Sequence, residues 1–201
     1  MFAFLAGIAA GLLHVFSGPD HLAAVAPLAS DGERRQWLTG LQWGIGHTTG
    51  VLVIAAALLL VKEQLPLDAI SAYSERLVGA SLIVIGGWGL RRAWVRRCSG
   101  AELHSHTHVG ASFAMGTIHG LAGSSHLFGV IPAVAFSSRM SSVSYLAGFG
   151  IGAVAGMTAF SAALGLAQQR FGRRHPRGFS GLLYASSAVA LVVGGVWLVG
   201  Q

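Results

Sequence analysis

The chain states one pattern twice. Gly11, His14, Gly18, His21, Leu22 and Pro27 return as Gly116, His119, Gly123, His126, Leu127 and Pro132, each 105 residues further on. The likeness continues beyond that stretch. Gly44-Ile45-Gly46 and Gly50 match Gly150-Ile151-Gly152 and Gly156, and Ile85-Gly86-Gly87 matches Val193-Gly194-Gly195. A fold for this chain must therefore be built from two copies of one unit.

Composition says where that unit sits. Hydrophobic residues make up 53% of the 201, and only 10% are charged. Soluble domains carry about 25% charged residues. Apolar runs long enough to cross about 30 Å of hydrocarbon lie at 2–29, 37–61, 77–94, 113–136, 143–166 and 179–199. The first three belong to one copy and the last three to the other. Three is odd, so the second copy enters the membrane from the opposite side. The expected fold is an all-α membrane protein with six transmembrane helices in two inverted three-helix repeats. The first repeat covers 1–94, a loop rich in arginine and histidine covers 95–112, and the second repeat covers 113–201. No basic residue precedes the first apolar run, which predicts a retained helix rather than a cleaved signal peptide.

Charge sets the orientation. Twelve of the thirteen basic residues are arginines. Arg34, Arg35, Arg91, Arg92, Arg96, Arg97, Arg170, Arg173, Arg174 and Arg177 fall in or beside the gaps on one side, against Lys62, Arg76 and Arg139 on the other. The positive-inside bias puts the first set in the cytoplasm and both termini outside, in an inner or plasma membrane. Arginines spread over short gaps do not form a nucleic-acid patch, and no nucleic-acid partner is expected. The partners expected are the bilayer and a small cargo. Cys98 is the only cysteine. It excludes an internal disulfide and electron transfer by paired thiols.

Ionisable residues inside the apolar runs carry the functional reading. His14 and His21 lie two turns apart in the first run, around Ser17-Gly18-Pro19-Asp20. Proline removes a backbone donor and crowds the preceding turn, so the helix is expected to break at mid-membrane depth. Ser17 is the expected N-cap of the second half. A carboxylate at that depth requires a partner, which makes Asp20 a metal-ligand candidate beside His14 and His21. His47 adds an imidazole from the second run, between Gly46 and Gly50, which admit a neighbouring helix closely. Thr48 and Thr49 are expected to bond back to the helix or to orient the ring. His119 and His126 complete the set from the second copy, where Ser125 replaces Asp20. The two copies of Gly-x2-His are expected to build one shared site that takes one ion.

A further group, His104, His106 and His108, lies in the arginine-rich loop beside Glu102. Alternating histidines there suit metal storage, sensing or delivery to a cytoplasmic acceptor. Imidazole with one carboxylate suits nickel, copper, zinc or cobalt, and affinity order does not choose among them. No phosphate-binding Gly-x4-Gly-Lys-Ser/Thr motif occurs, and no catalytic residues are expected. No permanently bound cofactor is expected, since the metal is cargo. The rival reading is a haem-binding membrane protein with His14 and His119 as axial ligands. Against it stand the superfluous charge of Asp20 and the helix break at Gly18-Pro19.

Taken together, His14-x5-Asp20-His21 resembles the His-x4-Asp-His or His-x5-Asp-His signature of nickel/cobalt transporters. Gly46-His47-Thr48 resembles their second-helix Gly-His-Ser/Thr element. The likeness is to the short six-helix branch related to urease accessory proteins. It implies secondary transport of nickel or cobalt, with His14, Asp20, His21 and His47 in binding and selectivity. The longer transporters carry further acidic signatures in later helices. This chain has Gly-x2-His-x6-His there instead, which leaves the exact metal open; uptake is the direction the likeness implies, with export by the same architecture as the alternative.

Overall fold

A computed structural model describes residues 1–29, 36–60, 67–99, 109–121, 125–174 and 176–199. All regular structure among them is α-helical. The helices are α1 (Phe2–Ser17), α2 (Pro19–Ala29), α3 (Gln36–Leu60), α4 (Leu67–Ser99), α5 (Val109–Leu121), α6 (Ser125–Ala135), α7 (Arg139–Arg174) and α8 (Pro176–Val199).

The first apolar run breaks where its proline directs. Proline pushes the preceding residue out of the helical region, and Gly18 is extended at φ −87° and ψ 101°. The Gly18 N–H closes α1 on the carbonyl of His14 at 3.1 Å. Pro19 opens α2, a position where its missing N–H is no loss. The two helices meet at a bend of 72°. Ser17 does not act as the expected cap. Its hydroxyl donates back to the carbonyl of Leu13 at 2.6 Å. Inside α1 that bond is one turn away and is reached without leaving the helix.

The six expected spans are met only in a coarser form. Over their described residues, two helices are long and apolar enough to cross a membrane, Arg139–Arg170 of α7 and Gly181–Val199 of α8; α1 with α2 makes a third if the bent pair counts as one. In α4, Arg91 and Arg92 dilute the apolar run. Helix ends also differ from the apolar limits. α4 runs from Leu67 to Ser99 instead of 77–94, and α7 from Arg139 to Arg174 instead of 143–166. Arginine and glutamine are good helix formers, so a helix continues where hydropathy falls.

Packing runs between the two halves of the chain. α1 lies along α7, α5 along α3, α4 along α8, and α3 against α7. Glycines set these seams, because without a Cβ two helix backbones approach closely. A Cβ on Gly11 would strike the carbonyl oxygen of Phe149, and one on Gly116 that of Trp43. A Cβ on Gly152 would strike the carbonyl of Ile8, and one on Gly46 that of Phe113. These are one contact made twice: Gly11 to Gly116 and Ile8 to Phe113 are 105 residues apart, Trp43 to Phe149 and Gly46 to Gly152 are 106. The α4–α8 seam pairs Gly79 with the carbonyl of Gly194 and Gly86 with that of Ser187. Here both separations, Gly79 to Ser187 and Gly86 to Gly194, are 108.

The two half-helices break this regularity. α2 is packed against α8 and α4, with Ala23, Ala24, Val25 and Ala29 almost wholly buried. α6 lies instead against α7, with lesser contacts to α1 and α3. One apolar cluster gathers around α2 with Val15, Trp43, Leu82 and Met157. A second gathers Val51, Tyr145 and Phe149 near α6.

Candidate metal centre

Three helices deliver three imidazoles to one point. His14 comes from the last turn of α1, His21 from the first turn of α2, and His47 from the middle of α3. One ligand nitrogen from each lies within 4.8 Å of the others. The His21 ring stands edge-on to the other two, 4.5 Å from His14 at 81° and 4.8 Å from His47 at 80°. His14 and His47 are near-parallel at 5.6 Å and 18°. His21 and His47 are fully buried, while His14 is partly exposed. Metal–imidazole bonds are about 2 Å, so nitrogens around one ion stand about 4 Å apart at most. The set needs only a small contraction to close on a cation.

Asp20 stands against the set beside His21. It is buried, and its Oδ1 accepts a hydrogen bond from His21 Nδ1 at 2.9 Å. A carboxylate accepts only, so Nδ1 carries the hydrogen and the ring's lone pair is on Nε2. Such a carboxylate fixes ring orientation and raises ligand basicity. The first turn of α2 also favours the negative charge through the helix dipole. Gly18 is required here for room. A Cβ on it would come within 2.5 Å of His21 Nδ1 and 2.9 Å of Asp20 Oδ1.

His119 comes from α5 and is fully buried next to the set, its ring 6.1 Å from His21. Its Nδ1 lies 3.5 Å from the hydroxyl of Ser81 on α4. Ser81 donates its one hydrogen to the carbonyl of Val78 at 2.8 Å, so towards His119 it accepts. The second-helix threonines behave as expected in part. Thr49 bonds back to Ile45 at 2.8 Å, while Thr48 reaches across to the carbonyl of Gly150 at 3.4 Å. His104, His106 and His108 lie outside the described residues, as does the side chain of His126.

Three further residues line the centre without having been singled out in the sequence. Trp43 stacks on His47 at 5.0 Å and 13°, and also meets His21 at 5.6 Å and His119 at 5.4 Å. Phe149 meets His14 at 5.4 Å. Ser81 supports His119. A signal for Trp43 existed: it is one turn before His47, and it corresponds to Phe149 at the separation of 106.

Comparison with known proteins gives three relatives. Chloroplast protein FOR GROWTH AND FERTILITY 2 of Arabidopsis thaliana is 36% identical over 97% of this chain. FOR GROWTH AND FERTILITY 1 of the same plant is 32% identical over 94%. The chain spans about half the length of these two, 55% and 56%. Urease accessory protein UreH of Bacillus sp. (strain TB-90) is a distant homologue, 29% identical over 173 residues, which is 80% of this chain and 75% of that protein. No family model matches the chain. No solved structure matches it.

Proposed function

We propose that the chain carries a divalent transition metal, nickel or cobalt, across a membrane by way of His14, His21 and His47. The observation that carries this reading is the convergence of three imidazoles from three helices within 4.8 Å, two of them fully buried. Neutral imidazoles are the form that binds metal, and borderline divalent ions prefer them to oxygen-only sites. Asp20 holds His21 and offsets part of the charge of the cation. His119 lines the same chamber, and one ion per protomer is the expected load. Kinship with a protein named for urease accessory function, and the resemblance of His14-x5-Asp20-His21 to the nickel/cobalt signature, favour nickel or cobalt over copper and zinc. The rings of His14, His21 and His47 are in mutual contact, which favours a small ion over a haem macrocycle at this point.

The seam contacts made twice support two inverted three-helix repeats. On this reading six segments cross the membrane, α1 with α2 and α5 with α6 being broken spans. The arginine bias supports both termini outside, with His104, His106 and His108 on the cytoplasmic side as a receiving store. The ion sheds water, binds at the midplane, and leaves when the two repeats rock about it.

The test is flux of radiolabelled nickel into vesicles of known protein orientation, with cobalt, zinc and copper as competitors. Saturable uptake blocked best by cobalt, and lost in the combined alanine variant of His14, His21 and His47, is the expected result. Equal flux in that variant would end the proposal. Flux only in the outward direction would make the chain an exporter built on the same centre.

A further inference from the structure

The four described histidines of the centre do not form one set. His14, His21 and His47 converge, while His119 stands outside their group although it is buried and only 6.1 Å from His21. The residue in contact with both parts is Trp43. It stacks on His47, meets His21 by its edge, and lies 5.4 Å from His119, nearer than His21 does. Its indole N–H is buried and has no hydrogen-bond partner among the described residues. A buried indole usually finds one. Ring packing alone therefore fixes Trp43, and its contribution is its shape.

We propose that Trp43 sets the coordination number of the centre, resting on the reading of that centre as a cation site. Its flat ring keeps His119 from joining the other imidazoles. The cation then meets three protein nitrogens and keeps positions open for water or for the next ligand. Sites with an open position exchange their ligands, whereas closed four-ligand sites hold metal as structure. A carrier must release what it binds. His119, beside Ser81, is the imidazole that takes over when Trp43 shifts, so Trp43 determines both affinity and release.

The experiment is a double-mutant cycle on the purified full chain, titrated with nickel alone, for Trp43→Ala, His119→Ala and the double variant. In the native background His119→Ala is expected to weaken affinity several-fold less than it does in the Trp43 variant. Trp43→Ala is expected to bind more tightly, through a fourth imidazole, and there His119→Ala should weaken binding by about tenfold or more. X-ray absorption at the metal edge should count one more imidazole in Trp43→Ala than in the native protein. If His119→Ala weakens native binding as strongly as it weakens the Trp43 variant, His119 is already a ligand and the proposal is wrong. It is equally wrong if His119→Ala is silent in both backgrounds. Should Trp43→Ala fail to accumulate, Trp43→Leu keeps the apolar bulk and loses the flat ring, and the same cycle applies. A native protein that binds no nickel at all overturns the transport reading itself, which distinguishes the two failures.

Discussion

At the scale of single residues, Gly18, Asp20 and His21 act as one unit. The carboxylate holds the ring at 2.9 Å, and glycine leaves space for both. Removing such a supporting carboxylate typically lowers metal affinity by about 10–100-fold. Asp20→Ala should show a loss of that size in a nickel titration of protein that still inserts. Asp20→Asn should lose less, because an amide oxygen still accepts from Nδ1. Unchanged affinity in Asp20→Ala would remove its assigned role. Gly18→Ala should mimic the loss, since φ −87° suits alanine and only the missing room forbids it. Much of this was legible beforehand. Ionisable residues in apolar runs stand out, so His14, Asp20, His21, His47 and His119 could be read from sequence. How they are arranged could not, because a carboxylate beside a histidine serves equally as ligand or as support. Trp43, Phe149 and Ser81 stayed hidden among ordinary core and helix residues.

At the scale of elements, the seams depend on glycine. A side chain at Gly11, Gly46, Gly116 or Gly152 would collide with backbone of the facing helix, which cannot move aside as a side chain can. Overpacking of a tight contact costs about 1–3 kcal/mol. Gly46→Ala and Gly116→Ala should each lower the thermal midpoint of detergent-solubilised protein. Gly87 provides the control, since a Cβ there meets nothing within 4 Å. Gly87→Ala should be neutral or gain about 1 kcal/mol from helix propensity alone. Equal effects at Gly46 and Gly87 would mean that the seams are not what glycine is for. The sequence disclosed that these glycines recur, and a single helix pattern cannot disclose which helix each one faces. Helix ends were misjudged for a related reason. Hydropathy reports where hydrocarbon ends, while α4 and α7 end where the backbone stops being helical.

At the scale of the whole molecule, the closest packing joins residues from opposite ends of the chain. α1 rests on α7, α5 on α3, and α4 on α8. Among the described residues neither half has such seams within itself, so neither is a domain in the sense of a unit with its own core. Fragments 1–100 and 101–201 expressed singly should be degraded, whereas expressed together they should accumulate and bind nickel; quantitative blotting of membranes decides between these outcomes. Stable accumulation of either fragment alone would refute the interdependence. The same interlocking has a consequence for assembly. A half that cannot find its complement in its own chain can find it in another. Shortening the connection between α4 and α5 should therefore favour exchanged assemblies, two polypeptides each completing the other, visible as a doubled mass with both centres intact.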